Sequence, residues 1–117
     1  MERIFSKGQA MSAAEYANAD LTRAEVDATQ GTTVLEFGAT WCPICQNAQA
    51  LIHSALAGRA LKHLRIEDGP GRPLGRSFKI KLWPTLVFLR DGTEVARVVR
   101  PGSAEDFADV PVLHDAA

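Results

Sequence analysis

The chain of 117 residues holds two cysteines, three positions apart in Trp41-Cys42-Pro43-Ile44-Cys45. A bridge between them would enclose almost no loop and add little stability, and the pair is not the dispersed framework of a disulfide-stapled secreted domain. Its placement points to chemistry instead. Two thiols one helical turn apart can attack a disulfide and then close on each other. The attacking species is the thiolate, so the working sulfur must be partly ionised and partly exposed. Zinc binding is the competing use, but a single Cys-x-x-Cys lacks the second ligand pair of a structural site. His53, His63 and His114 are not at ligand spacing either. No metal or other cofactor is expected.

These conditions are met where a strand turns into a helix. Thr33-Val34-Leu35-Glu36-Phe37-Gly38 is short, β-branched and apolar except for Glu36, the pattern of a strand buried on both faces. From Pro43 the spacing becomes helical, with Cys45, Ala48, Leu51, Ile52, Ala55 and Leu56 on one stripe and Gly58 placed to end the helix. Pro43 suits the first helical position. Cys42 therefore lies at the N-terminus, where free amides and the positive end of the helix dipole favour a thiolate. Cys45, on the apolar stripe, should be shielded. On this reading Cys42 attacks and Cys45 resolves. Glu36 is the candidate base for Cys45, because burial in apolar surroundings would raise a carboxylate towards neutrality.

The remaining elements build an α/β fold around that junction. Capping-box patterns at Ser12-x-x-Glu15 and Thr22-x-x-Glu25 predict short helices near 13–18 and 23–29. The first eleven residues show no period and are expected to be mobile. Leu61 to Glu67 predicts a second strand, with Leu64 and Ile66 on one face and His63 on the other. The Gly- and Pro-rich stretch from Asp68 to Gly75 predicts a loop, with a short helix towards Phe78. Pro84 to Arg90 and Thr93 to Val99, joined by Asp91-Gly92, predict a β-hairpin. Ser103-x-x-Asp106 predicts a last short helix around Phe107, with Pro111 and a polar tail beyond. The expected whole is a single domain with its core over about 20–108. Its mixed sheet combines a parallel β-α-β unit with an antiparallel hairpin, and helices cover both faces.

The segment from Val34 to Cys45, with Trp83-Pro84-Thr85 and Asp91-Gly92 in order and spacing, resembles the active-site strand, helix and loop of the thioredoxin superfamily. The resemblance implies a thioredoxin-like fold and protein-disulfide oxidoreductase activity, with Cys42 the nucleophile and Cys45 the resolving thiol. It places Glu36 where thioredoxins keep a buried Asp, and His63 roughly where the family often has a lysine. Trp41, Pro43, Trp83 and Pro84 become the substrate-binding groove, with Pro84 matching the cis-proline and the backbone of Trp83 pairing with an extended substrate. Departures are equally visible. Pro43-Ile44 replaces the usual Gly-Pro, Gly38 replaces a bulky aromatic, and the helix lacks its kinking proline. Proline first and Glu36 resemble the bacterial disulfide-forming enzymes, but Ile44 stands where those carry His and can neither donate a hydrogen bond nor carry charge. The direction expected is reduction.

Composition excludes other classes. With 46% hydrophobic and 23% charged residues the chain has ordinary globular content. A net charge of −1 supplies no field for nucleic acid. No apolar run approaches the roughly 20 residues of a membrane span, and the first ten residues lack the apolar core of a secretory signal. A monomer in the cytoplasm is expected, working on protein disulfides and recycled by a reductase or a small thiol. Between Arg59 and Arg100, ten Lys or Arg stand against four Asp or Glu, either a solvated basic face or a docking surface for an acidic partner. Two further readings stay open. One is a peptide-binding or assembly module that keeps the Trp41, Trp83 and Pro84 groove without turnover; the other is a disulfide oxidant or isomerase.

Overall fold

The computed structural model describes residues 16–17 and 20–114. The mobile segment expected over the first eleven residues and the Ser12-x-x-Glu15 cap lie outside the described residues. The sheet has strands β1 (Thr32–Gly38), β2 (Lys62–Glu67), β3 (Thr85–Arg90) and β4 (Thr93–Val99), and the helices are α1 (Arg23–Asp27), α2 (Pro43–Leu56) and α3 (Pro73–Ser77). Strand order is β2-β1-β3-β4. β1 and β2 are parallel, while β1 and β3, and β3 and β4, are antiparallel. The connection through α2 is what makes the first pair parallel.

β1 lies inside the sheet, and from Thr33 onward it is buried throughout. Its side chains divide between two cores. Val34 joins Ile52, Leu56, Leu86, Phe88 and Phe107 on the α2 face. Leu35 and Phe37 join Val26, Ile66, Leu74, Phe78 and Val87 on the face covered by α1 and α3. Alternation then puts Glu36 on the α2 face, 0% exposed. His63 and Arg65 share that face of β2, because Val34 pairs with His63 and Glu36 with Arg65.

Local chemistry sets the boundaries. Thr22 and Glu25 form a complete capping box at α1. Gly58, at φ 74, ends α2 in a conformation that a side chain disfavours. Asp91 and Gly92 both have positive φ, 50 and 83, as a tight hairpin turn requires.

Three further expectations meet the described residues. Ala17 is not in a helix over 13–18: it forms a parallel bridge to Ile66, its N–H donating to Arg65 and its carbonyl accepting from Glu67. The short helix expected around Phe107 is present as a 3-10 helix, Ala104–Phe107, with Ser103 and Asp106 forming its capping box. Beyond Pro111 the chain makes another such turn, and Val110 and Leu113 are buried in the α2-side core rather than in a polar tail.

Candidate functional site

Cys42 is the N-cap of α2 and Pro43 its first residue. The Cys45 N–H donates to Cys42 Sγ at 3.3 Å, so the helix end does aim an amide at the sulfur. Both thiols are free. Cys45 is 0% exposed as expected, but Cys42 keeps only 6% exposure, less than the open position anticipated for it. Tyr16 and Ala39 close over the pair, with Trp83 packed against them. Burial first, then the neighbouring Cys42 sulfur, push the Cys45 thiol up to about 12. A resolving thiol so reluctant to ionise needs help at the moment it reacts.

Glu36 is at the centre of a hydrogen-bond network on the α2 face. Tyr16 Oη donates to Glu36 Oε2, and Gln49 Nε2 donates to the same oxygen at 2.8 Å. His63 Nε2 lies 2.8 Å from Glu36 Oε1, and Arg65 Nε is 3.5 Å from that oxygen. Here the raised carboxylate expected from the sequence is corrected. Burial pushes Glu36 upward, but the hydrogen bonds from His63, Tyr16 and Gln49 outweigh it and hold the group below the ordinary carboxylate value. Glu36 is therefore an ionised anchor at rest rather than a base poised near neutrality.

The sign has a measurable consequence. A carboxylate whose folded pKa is depressed stabilises the fold above its unfolded pKa, about 4.3, and loses that contribution as pH falls through the folded value. Glu36→Gln should cost about 2 to 3 kcal/mol at pH 7, since it sets an amide donor against three donors. In urea denaturation the gap between wild type and variant should narrow as pH is lowered through 4. A gap independent of pH would contradict the ionised assignment.

The outer wall of the site is aromatic. Trp41 is 69% exposed and meets Trp83 edge to face, with ring centroids 5.6 Å apart. Trp83 is half-buried rather than a core aromatic, and its Nε1 donates to Asp68 Oδ2 at 2.9 Å. The Trp83-Pro84 peptide bond is cis. Arg100 Nε donates to the Trp83 carbonyl at 2.8 Å, occupying one of its two acceptor positions. Pro43 and Ile44 are exposed beside Cys42.

Of the residues singled out from sequence, Cys42, Cys45, Trp41, Pro43 and Trp83 gather at the start of α2, with Glu36 and His63 beneath. Sequence reasoning missed four others: Tyr16, Gln49, Asp68 and Arg100. Gln49 carried a signal, being a polar residue one turn after Cys45 and 7% exposed. Gly38 carried another. A glycine inside a strand marks close approach, and a Cβ there would lie 2.7 Å from Cys45 Sγ and 2.8 Å from Tyr16 Cζ. Tyr16 occupies the space beside it. Among the described residues no group of three or more His, Cys, Asp or Glu is arranged to hold a metal ion, and no helix is long and apolar enough to cross a membrane.

Comparison with known proteins agrees with this geometry. Among solved structures, thioredoxin 2 from Pseudomonas aeruginosa in its reduced form is similar at 51% identity and a TM-score of 0.75, over 85% of this chain and 94% of that one. A thioredoxin mutant from Halobacterium salinarum, at 21% identity and a TM-score of 0.62 over 86% of this chain and 91% of that one, shares the fold. Curated relatives include thioredoxin H5 of Arabidopsis thaliana, 31% identical over 62% of this chain and 61% of the relative's length. Thioredoxin H3 of the same plant is 29% identical over 66% of each. The match to this chain thus spans about three fifths of the first relative's length. The family model for thioredoxin matches residues 11–110, and the chain belongs to the thioredoxin family.

Proposed function

We propose that this protein is a thiol-disulfide oxidoreductase that reduces protein disulfides through the Cys42 and Cys45 couple. The observation that carries the reading is the inequality of the two sulfurs. One caps a helix and accepts an amide, while the other is sealed with its thiol at about 12. Cys42 attacks a substrate disulfide and forms a mixed disulfide. Cys45 then attacks Cys42, releasing the reduced substrate and leaving an oxidised pair. Trp41, Pro43, Trp83 and Pro84 form the groove for the substrate segment, with Trp83 steadied by Asp68. Recycling falls to a reductase or a small thiol, and the protein acts as a cytoplasmic monomer.

The surroundings of Cys42 support reduction rather than oxidation. Ile44, 44% exposed, adds neither a hydrogen-bond donor nor a charge between the cysteines. Strong oxidants are those whose reduced form is stabilised, and that device is missing at this position. The test is dithiothreitol-driven reduction of insulin, read as turbidity. Catalytic amounts of wild type should shorten the lag, and Cys42→Ser should return it to the uncatalysed value. Equal lags with wild type and Cys42→Ser would contradict the assignment.

A further inference from the structure

The Tyr16 side chain is held in place by its own backbone and by its neighbour's. Its N–H donates to Thr40 Oγ1 at 3.0 Å, and Ala17 is bridged to β2 on both sides. The ring is 6% exposed in the cluster that contains both cysteines. Its hydroxyl donates to Glu36 Oε2, and its ring and Cys45 Sγ both border the space beside Gly38. Gln49 Nε2, which donates to the same carboxylate oxygen, also lies within hydrogen-bond reach of the hydroxyl at 3.3 Å. The missing side chain at Gly38 lets the phenol reach in, because a Cβ there would collide with both Cys45 Sγ and the ring. The phenol thus shares a sealed cluster with the thiol that must lose a proton and is bonded to an ionised carboxylate with room to accept one.

We propose that Tyr16 is a proton relay for the resolving step, connecting Cys45 to Glu36. The proposal rests on the reductase reading above and assigns it a further residue. In the mixed disulfide, the Cys45 S–H bond breaks and its proton passes to Tyr16 Oη, while Tyr16's own proton passes to Glu36 Oε2. The Cys45 electron pair forms the bond to Cys42, and the bond from Cys42 to the substrate sulfur breaks, its pair leaving with the substrate thiolate. The dithiol is oxidised and the substrate disulfide reduced. Glu36 later returns its proton to solvent as the leaving thiolate gains one. Because Glu36 is held low and Cys45 high, the transfer does not run ahead of the attack. Both protons move as the negative charge departs with the substrate.

A chromogenic aryl disulfide reports the two steps separately, since attack by Cys42 releases one coloured thiolate and resolution by Cys45 releases the second. In stopped flow, Tyr16→Phe should lower the ratio of second- to first-phase rates about 100-fold. Its second phase should then rise about tenfold per pH unit as hydroxide takes over, where the wild-type phase is nearly flat. Wild type in mixtures of light and heavy water should show a curved dependence of the second phase on deuterium fraction, the mark of two protons in flight. That measurement needs no variant. A wild-type ratio kept in folded Tyr16→Phe, or a linear or absent isotope dependence, would overturn the relay. A wild-type protein with no second phase would instead overturn the reductase reading beneath it.

Discussion

Cys45→Ser should stop turnover and accumulate a covalent mixed disulfide through Cys42, visible as a higher-mass band that collapses on adding dithiothreitol. The expectation follows from the division of labour at the site. The serine hydroxyl at the sealed position cannot displace the substrate sulfur, while Cys42 still caps α2 and still attacks. Loss of turnover should be at least about 1,000-fold, the scale seen when a member of a catalytic unit is removed. Cys42→Ser should lose as much activity and trap nothing, because the buried Cys45 cannot reach a substrate. Mass spectrometry of the Cys45→Ser band should place the bridge on Cys42. A bridge absent from lysate and from a model protein disulfide would reject the assigned order of attack.

Gly38→Ala should unfold the molecule at a temperature lower by about 10 °C or more, a loss of about 2 to 3 kcal/mol. The added carbon would sit 2.7 Å from Cys45 Sγ and 2.8 Å from the Tyr16 ring. The strand cannot retreat, since β1 is paired on both sides. Relief must come from the ring, so the variant should also weaken the hydrogen bond to Glu36. Tyr16→Ala alone leaves a cavity and should cost about 3 kcal/mol or more. Combining the two should cost at least about 1 kcal/mol less than their sum, because the new methyl no longer meets the ring it displaced. Thermal melts of the four proteins close the cycle, and strict additivity would show that the contact is not where the structure places it.

Much of this site is legible in the sequence, and what is missing has a common physical cause. The periodicity change at Pro43, the Asp91-Gly92 turn and the alternation around Glu36 are local signals, and they located β1, α2 and the hairpin within a residue or so. Tyr16 is invisible to such reading. It lies in the stretch 13–18 that a capping pattern predicts as helix, and it reaches Glu36 from twenty positions away, beside the bridge of Ala17 to β2. Glu36 shows how a sign can be misread. Its burial was inferable from one carboxylate in an apolar run, but the hydrogen bonds that reverse the effect come from His63 on β2, Gln49 on α2 and Tyr16. None of the three donors is adjacent in sequence. Cys42 was expected to be more open because an attacking thiolate must be partly exposed, and here it is buried in a cluster with Tyr16 and Ala39.

The family's departures gain a physical reading from the same contacts. Gly38, in place of a bulky aromatic, leaves room that the Tyr16 ring fills from the other end of the site. Glu36, one methylene longer than Asp, places Oε2 where the phenol and Gln49 both reach it and Oε1 beside His63 and Arg65. Ile44 leaves the exposed side of the dithiol apolar.

Those surroundings make the reduction potential of the Cys42 and Cys45 couple the most direct measurement of what the protein does. Equilibration in defined thiol and disulfide buffers, with the two forms separated after acid quenching, should give about −250 mV or lower, within the range of cytosolic reductants. A value near −120 mV, the range of strong disulfide-forming oxidants, would contradict the account.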